Sequence, residues 1–184
     1  MAIEVEINDG VCIIRMAGKT STQSFSMEFL PSIAQSINEA LSNSEVKAIV
    51  LTGEGRFFSA GADIHAFQEA IENNSAPELI RNLTGILHPL LVRMRTSSTI
   101  LIAALNGVSA GGGLGLALAC DARIGTSDAR MAASYAGMGL SPDGGTTWIL
   151  PRLVGEQVAR KFFLSNEIWS AEEAHNYGAV DALT

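Results

Sequence analysis

The sequence predicts an α/β fold in a single domain, and three observations carry that prediction. Apolar segments of strand length alternate with stretches whose apolar residues recur at helical spacing, in the order strand, strand, helix, strand, helix, strand, helix, strand, helix. With 184 residues, 47% of them hydrophobic and 17% charged, the chain has the material for one substantial core. The third observation is Asn106 to Asp121, NGVSAGGGLGLALACD, where three consecutive glycines follow an apolar strand at the point a helix should begin. Such a helix start offers bare backbone N–H groups to an anion. Each glycine in a helix costs about 1 kcal/mol relative to alanine, so something must require close backbone approach or unusual dihedrals there. An oxyanion is the simplest requirement.

Taken in order, Ile3, Val5 and Ile7 alternate with polar residues, Asn8-Asp9-Gly10 supplies turn chemistry, and Val11 to Ile14 resumes an apolar run, which together predict an opening hairpin. Phe25, Phe29, Ile33, Ile37 and Leu41 predict a helix from about Ser26, a possible N-cap, to Leu41, with Pro31 early in the segment where it does least harm. Val46 to Thr52 is a β-branched strand running into Gly53-Glu54-Gly55, and a polar helical stretch follows around Glu69 to Leu91. Ile100 to Leu105 is a strand leading into the glycine-rich helix. Asp121 to Thr126 reads as another short strand, and Gly139 to Gly145, GLSPDGG, as a sharp turn into a helix near Thr146. Ser170-Ala-Glu-Glu173 is a capping box, with Gly178 placed to end the short helix it starts. Trp148 is expected in the core.

A net charge of −7 with no run of Lys or Arg argues against nucleic acid or an anionic membrane surface as the main partner. The uncharged stretch between Arg95 and Asp121 is long enough to raise a membrane helix, but Asn106 and the glycines divide it into a buried strand and a buried helix. Cys12 and Cys120 stand in apolar surroundings without a CxxC spacing or a neighbouring His, and are expected to be buried free thiols. The N-terminus, MAIEVEIN, lacks the basic region and apolar core of a signal peptide, which makes the cytoplasm the default setting.

Two glycine-containing turns follow apolar strands: Ser59 to Ile64, SAGADI, and Ala110 to Gly115, AGGGLG. Brought together, they would aim two N–H groups at one oxygen. Each such donor typically contributes about 3 kcal/mol to a transition state. Close packing of helix on sheet through the glycines is the structural alternative, and spacing alone does not choose between them. The pattern is neither GxGxxG nor a phosphate loop with its Lys, which excludes nucleotide binding of those kinds.

With those residues in view, the sequence resembles the enoyl-CoA hydratase/isomerase family, the crotonases. Four ordered blocks carry the resemblance over nearly the whole chain: VKAIVLTGEGRFFSAGADI, ILIAALNGVSAGGGLGLALACD, GLSPDGGTTWILPRLVG and WSAEEAHNYGAVD. It implies a crotonase-like spiral of β-β-α units, with residues 1–184 forming one acyl-CoA-binding catalytic core. It also implies a coenzyme A thioester substrate, no prosthetic group, no metal, a role in fatty acid metabolism, and a homotrimer or dimer of trimers. The backbone N–H groups of Ala62 and Gly112 would hold the thioester carbonyl oxygen, with Ala60, Asp63, Ile64, Gly115 and Tyr135 also facing substrate.

The departures narrow the reaction. The two glutamates of the family's hydratases correspond to Gly115 and Tyr135, neither of which can act as a carboxylate base. The acid that remains is Asp143, at a position where isomerases of the phenylacetate-degradation type carry an aspartate resembling a proton shuttle. A solvated aspartate, with a pKa of about 3.9, is a feeble base, so the role requires burial. The structural alternative for Asp143 is a turn or N-cap residue. Tyr135 is expected to line the acyl pocket, and Gly115 to leave room beside the acyl chain. His65 follows the first turn and would touch the cofactor portion of the substrate or face solvent. His88 and His175 lie on helical segments without a paired carboxylate and read as satisfied histidines. Asp63 is expected to anchor its turn through local hydrogen bonds.

The expected activity is therefore an acyl-CoA isomerase. Hydration, hydrolysis or ring opening with Asp143 in another role is the enzymatic alternative, and a non-catalytic CoA-binding or assembly protein the alternative of another class. Relatives continue past the GAVD block into a helical segment that closes the pocket and builds the trimer, whereas this sequence stops at Thr184. Some of those contacts are therefore expected to be missing, with an apolar patch exposed where that segment packs.

Overall fold

The computed structural model describes residues 3–184. Strands β1 (Ile3–Asn8) and β2 (Val11–Met16) form the expected hairpin, with Asp9 and Gly10 at φ 48° and 81° supplying the primed two-residue turn. A four-residue helix α1 (Lys19–Thr22) follows, then α2 (Leu30–Ser42). Helix α2 starts four residues later than the periodicity predicts. Ser26 still serves its start, because its Oγ accepts from the Phe29 N–H at 3.3 Å. Leu30, Ile33, Ala34, Ile37 and Ala40 form the buried face of α2.

Two strand-and-helix units then repeat the same plan. Strand β3 (Ala48–Gly53) is followed by the short β4 (Phe57–Ser59), and then by helices α3 (Ile64–Glu72) and α4 (Ala76–Thr96). The polar helical stretch is thus two helices, divided near Asn74 at φ 55°. Next come β5 (Ile100–Leu105), β6 (Val108–Ala110) and the glycine-rich α5 (Gly112–Ala119). A third unit has β7 (Ala122–Gly125), β8 (Arg130–Ala132), a 3-10 turn at Ala136–Met138, α6 (Thr146–Val154) and α7 (Glu156–Leu164). The chain closes with β9 (Ile168–Ser170), α8 (Ala171–Asn176) and β10 (Ala182–Leu183). The capping box at Ser170 and Glu173 is present, and Gly178, at φ 87°, turns the chain out of α8.

The first strand of each unit joins a six-stranded sheet ordered β1-β2-β3-β5-β7-β10, and the second joins a four-stranded sheet ordered β4-β6-β8-β9. This is the expected spiral of β-β-α units, and each step from large to small sheet ends at a turn on the same side. Asn106 ties two of those steps together. Its Nδ2 donates to the carbonyls of Gly55 and Phe57 at 3.0 and 3.1 Å, and its Oδ1 accepts from the Gly53 N–H at 2.9 Å. Helix α5 lies in the centre of the core, with every residue from Gly113 to Ala119 buried. No helix among the described residues is long and apolar enough to cross a membrane.

Trp148 is a correction. It lies on the surface, 56% exposed, where the Arg152 guanidinium stacks 3.9 Å from its ring centroid. A cation over an indole face makes such exposure tolerable. Cys12 and Cys120 are both buried and free, and burial pushes the Cys120 thiol up to about 12.

Helix α4 also carries a site for stabilisation. Gly85 lies in its interior, and a methyl group there would meet nothing within 4 Å. Gly85→Ala is expected to raise the unfolding free energy by about 0.4–1 kcal/mol through lost unfolded-state freedom. Urea unfolding midpoints of the two proteins check this, and an unchanged or lower midpoint contradicts it.

Candidate active site

The two glycine turns meet. After β4 the chain passes through Ala60 and Gly61, at φ 85°, to Ala62, and Asp63 then caps α3 by accepting from the N–H groups of His65 and Ala66. After β6, Gly111 at φ 51° delivers the chain into α5. The first N–H groups of a helix lack intrahelical acceptors, and Gly112 heads this one. A methyl group built on Gly61 would stand 2.6 Å from the Ala110 carbonyl oxygen and 3.4 Å from the Gly112 nitrogen, so the two turns are in direct contact.

Ala62 and Gly112 line one cavity of about 490 Å³. Its wall is mainly apolar, with Phe25, Phe67, Ile80, Leu83, Leu87, Met138 and Leu140, and its ionisable members are His88, Tyr135 and Asp143. Ala60 and Ile64 line it too. Asp63 and Gly115 do not: the Asp63 side chain is occupied by capping, and Gly115 is packed against Gly144. A methyl group at 115 would lie 2.6 Å from the Gly144 carbonyl oxygen, so the missing side chain makes room for backbone rather than for an acyl chain.

Asp143 sits in the turn before α6, but it is not the cap. Gly145 is the N-cap, and the turn is held by the Asp143 carbonyl, which accepts from the Thr146 N–H and Oγ1 at 3.1 and 2.7 Å. Asp143 lines the cavity wall. Partial desolvation against that wall raises its pKa above the ordinary aspartate value although the residue is exposed, while the neighbouring His88 and hydrogen bonding from Tyr135 draw it back down. A more basic carboxylate results. Tyr135 is buried, its hydroxyl donates to the Asp143 carbonyl at 3.4 Å, and burial together with the nearby carboxylate pushes its own pKa up. The phenol therefore stays neutral and has the partner that the sequence did not reveal.

His88 corrects the sequence reading in the other direction. Helix α4 runs past the cavity and places this side chain among its lining residues, close enough to Asp143 to influence its charge. No sequence spacing marked that pair, which lies on separate elements 55 positions apart by number (143 − 88). His175 behaves as expected, with Nδ1 2.9 Å from the Val180 carbonyl oxygen, and His65 is exposed beyond the first turn.

The family model described as enoyl-CoA hydratase/isomerase matches residues 6–184. The chain is 33% identical over 184 residues to 4-chlorobenzoyl coenzyme A dehalogenase-2 of Arthrobacter sp., covering 98% of this chain and 65% of that protein. It is 31% identical over 174 residues to 1,2-epoxyphenylacetyl-CoA isomerase of Escherichia coli (strain K12), covering 95% of this chain and 66% of that protein. The chain thus spans just under two thirds of each relative's length. The fold matches the crystal structure of enoyl-CoA hydratase from Bacillus halodurans with a TM-score of 0.91 at 24% identity, over 100% of this chain and 73% of that one.

Proposed function

This chain belongs to the enoyl-CoA hydratase/isomerase family, and from that premise we propose that it is an acyl-CoA isomerase that shifts a double bond through a thioester enolate. The observation that carries this reading is the placement of one carboxylate, of raised pKa, in the apolar cavity where the Ala62 and Gly112 turns meet. The two N–H groups hold the thioester oxygen and stabilise the negative charge that develops there. Asp143 removes a proton from the carbon next to the carbonyl and returns it further along the dienolate. Its raised pKa makes the carboxylate a stronger base than an aspartate at the ordinary value, although the residue is exposed to solvent.

Hydration by the two-glutamate route is disfavoured by sterics as well as by residue type. A carboxylate side chain at Gly115 would have to displace the Gly144 backbone. The test is conversion of a 3-enoyl-CoA into the conjugated 2-enoyl-CoA by the 184-residue chain, followed by ultraviolet absorbance. Acyl-CoA binding without turnover marks a binding protein instead.

His88 favours a second reading. An imidazole and a carboxylate in one apolar cavity can divide a displacement, the carboxylate attacking carbon and the imidazole taking a proton from water. That reading suits an aryl-CoA substrate of the kind named for the Arthrobacter relative. Halide release from 4-chlorobenzoyl-CoA, without double-bond transfer in the isomerase assay, selects it.

The pair also sets a pH dependence. His88 lowers the Asp143 pKa, so removing the imidazole raises that pKa. Deprotonated Asp143 is the active form, and the rate therefore rises with pH through this value. His88→Gln is expected to move the acid limb of the kcat/KM profile to higher pH. A limb that stays in place or moves down separates His88 from Asp143.

A further inference from the structure

Buried hydroxyls stand behind the two turns. Ser59, at the end of β4, is fully buried, and its Oγ accepts from the Gly61 N–H at 3.4 Å and donates to Ser24 Oγ at 2.9 Å. Ser24, also fully buried, donates in turn to the Thr20 carbonyl of α1. The donors all point the same way along Gly61, Ser59, Ser24 and Thr20, an arrangement in which each bond polarises the next. Two backbone contacts run beside this chain: the Ala60 N–H donates to the Ser21 carbonyl at 2.8 Å, and the Phe25 N–H to the Gly61 carbonyl at 3.0 Å.

Ser59 also touches the other turn. A methyl group built on Gly113 would stand 2.3 Å from the Ser59 carbonyl oxygen and 2.5 Å from its Oγ, so α5 rests directly on this residue. One side chain therefore bonds to the residue preceding Ala62 and packs against the residue following Gly112. We propose that Ser59 is a positioning residue that sets the separation and direction of the Ala62 and Gly112 N–H groups. The assignment rests on the reading of those groups as holders of a thioester oxygen. Ser59 itself touches no substrate and does not line the cavity.

Loss of the hydroxyl leaves the Gly61 N–H without its side-chain acceptor and releases Ser24 from the chain. Misplacing a donor without removing it is expected to lower kcat about tenfold, with KM changed less than about twofold, because the loss falls on the charged transition state. The deciding readout is spectroscopic. Isotope-edited infrared spectra of bound butanoyl-CoA, carrying ¹³C at the thioester carbonyl, report how strongly that carbonyl is polarised.

In the wild type the band is expected to shift to lower frequency on binding. In Ser59→Ala the shift is expected to shrink while bound fraction and circular dichroism remain wild-type, and Ser59→Cys is expected to recover part of it. An undiminished shift with unchanged kcat in a folded Ser59→Ala protein overturns the assignment and leaves the isomerase reading intact. No shift in the wild type overturns the oxygen-holding reading and the assignment with it. If Ser59→Ala does not fold, Ser24→Ala, which breaks the chain one link further from the site, decides by the same two outcomes.

Discussion

Asp143→Asn is expected to lower turnover of a 3-enoyl-CoA by about 10²–10⁴-fold, the contribution typical of a positioned general base. The substitution preserves size and keeps the backbone carbonyl that holds Thr146, so the turn into α6 survives. Its effect on stability has the opposite sign. The folded-state pKa of Asp143 is raised, so the folded protein favours the protonated form. The stability linked to that proton is fully present below the unfolded-state pKa and is lost as pH rises through the folded-state value. Near neutral pH, Asp143→Asn removes a charge that the fold mildly disfavours, on a residue still exposed to solvent, and is expected to be slightly more stable than the wild type. The advantage disappears in acid below the ordinary aspartate range. A stabler and inactive variant is the signature of a residue kept for chemistry. Wild-type turnover in the folded variant removes Asp143 from the mechanism.

Gly113→Ala is expected to destabilise the protein by about 3 kcal/mol or more, at the upper end of overpacking costs. Alanine is the better helix former by about 1 kcal/mol, and on propensity alone the change should help. Geometry reverses the sign. The added methyl would approach the Ser59 carbonyl oxygen, Oγ and Cβ to 2.3, 2.5 and 2.7 Å, and the first of these belongs to the backbone of a buried strand. Either α5 retreats from β4 or the strand moves, and both loosen the two turns. Urea unfolding is expected to show an earlier midpoint, and the surviving folded fraction a lower kcat. A midpoint equal to the wild type contradicts the packing described for β4 and α5.

Gly113 and Gly85 together show what sequence resolves. Both are helical glycines, and nothing in their local patterns says that one supports a contact and the other faces open space. The hairpin was legible because Asn8-Asp9-Gly10 has few alternatives, and α8 because Ser170 and Glu173 complete each other's bonds. Strands β4, β6, β8 and β9 were not, since three residues are too few to show a period of two. Their absence hid the second sheet. At the site, Ala62, Gly112, Tyr135 and Asp143 line one cavity, and His88 reaches it only through the path of α4. Gly115 looked like room for substrate because sequence cannot show the Gly144 backbone that fills it.

The two buried cysteines give the molecule a built-in stopwatch. A thiol reagent attacks the thiolate, and at the raised pKa of about 12 the Cys120 thiolate is scarce in the folded protein near neutral pH. Cys12, in β2 of the large sheet, is shielded by burial as well. Alkylation must therefore wait for the chain to open, and its rate in dilute reagent counts openings of the native state. One cysteine times the second strand of the hairpin and the other the end of the central helix, so unequal rates would show whether the hairpin and the central helix come apart together or in turn.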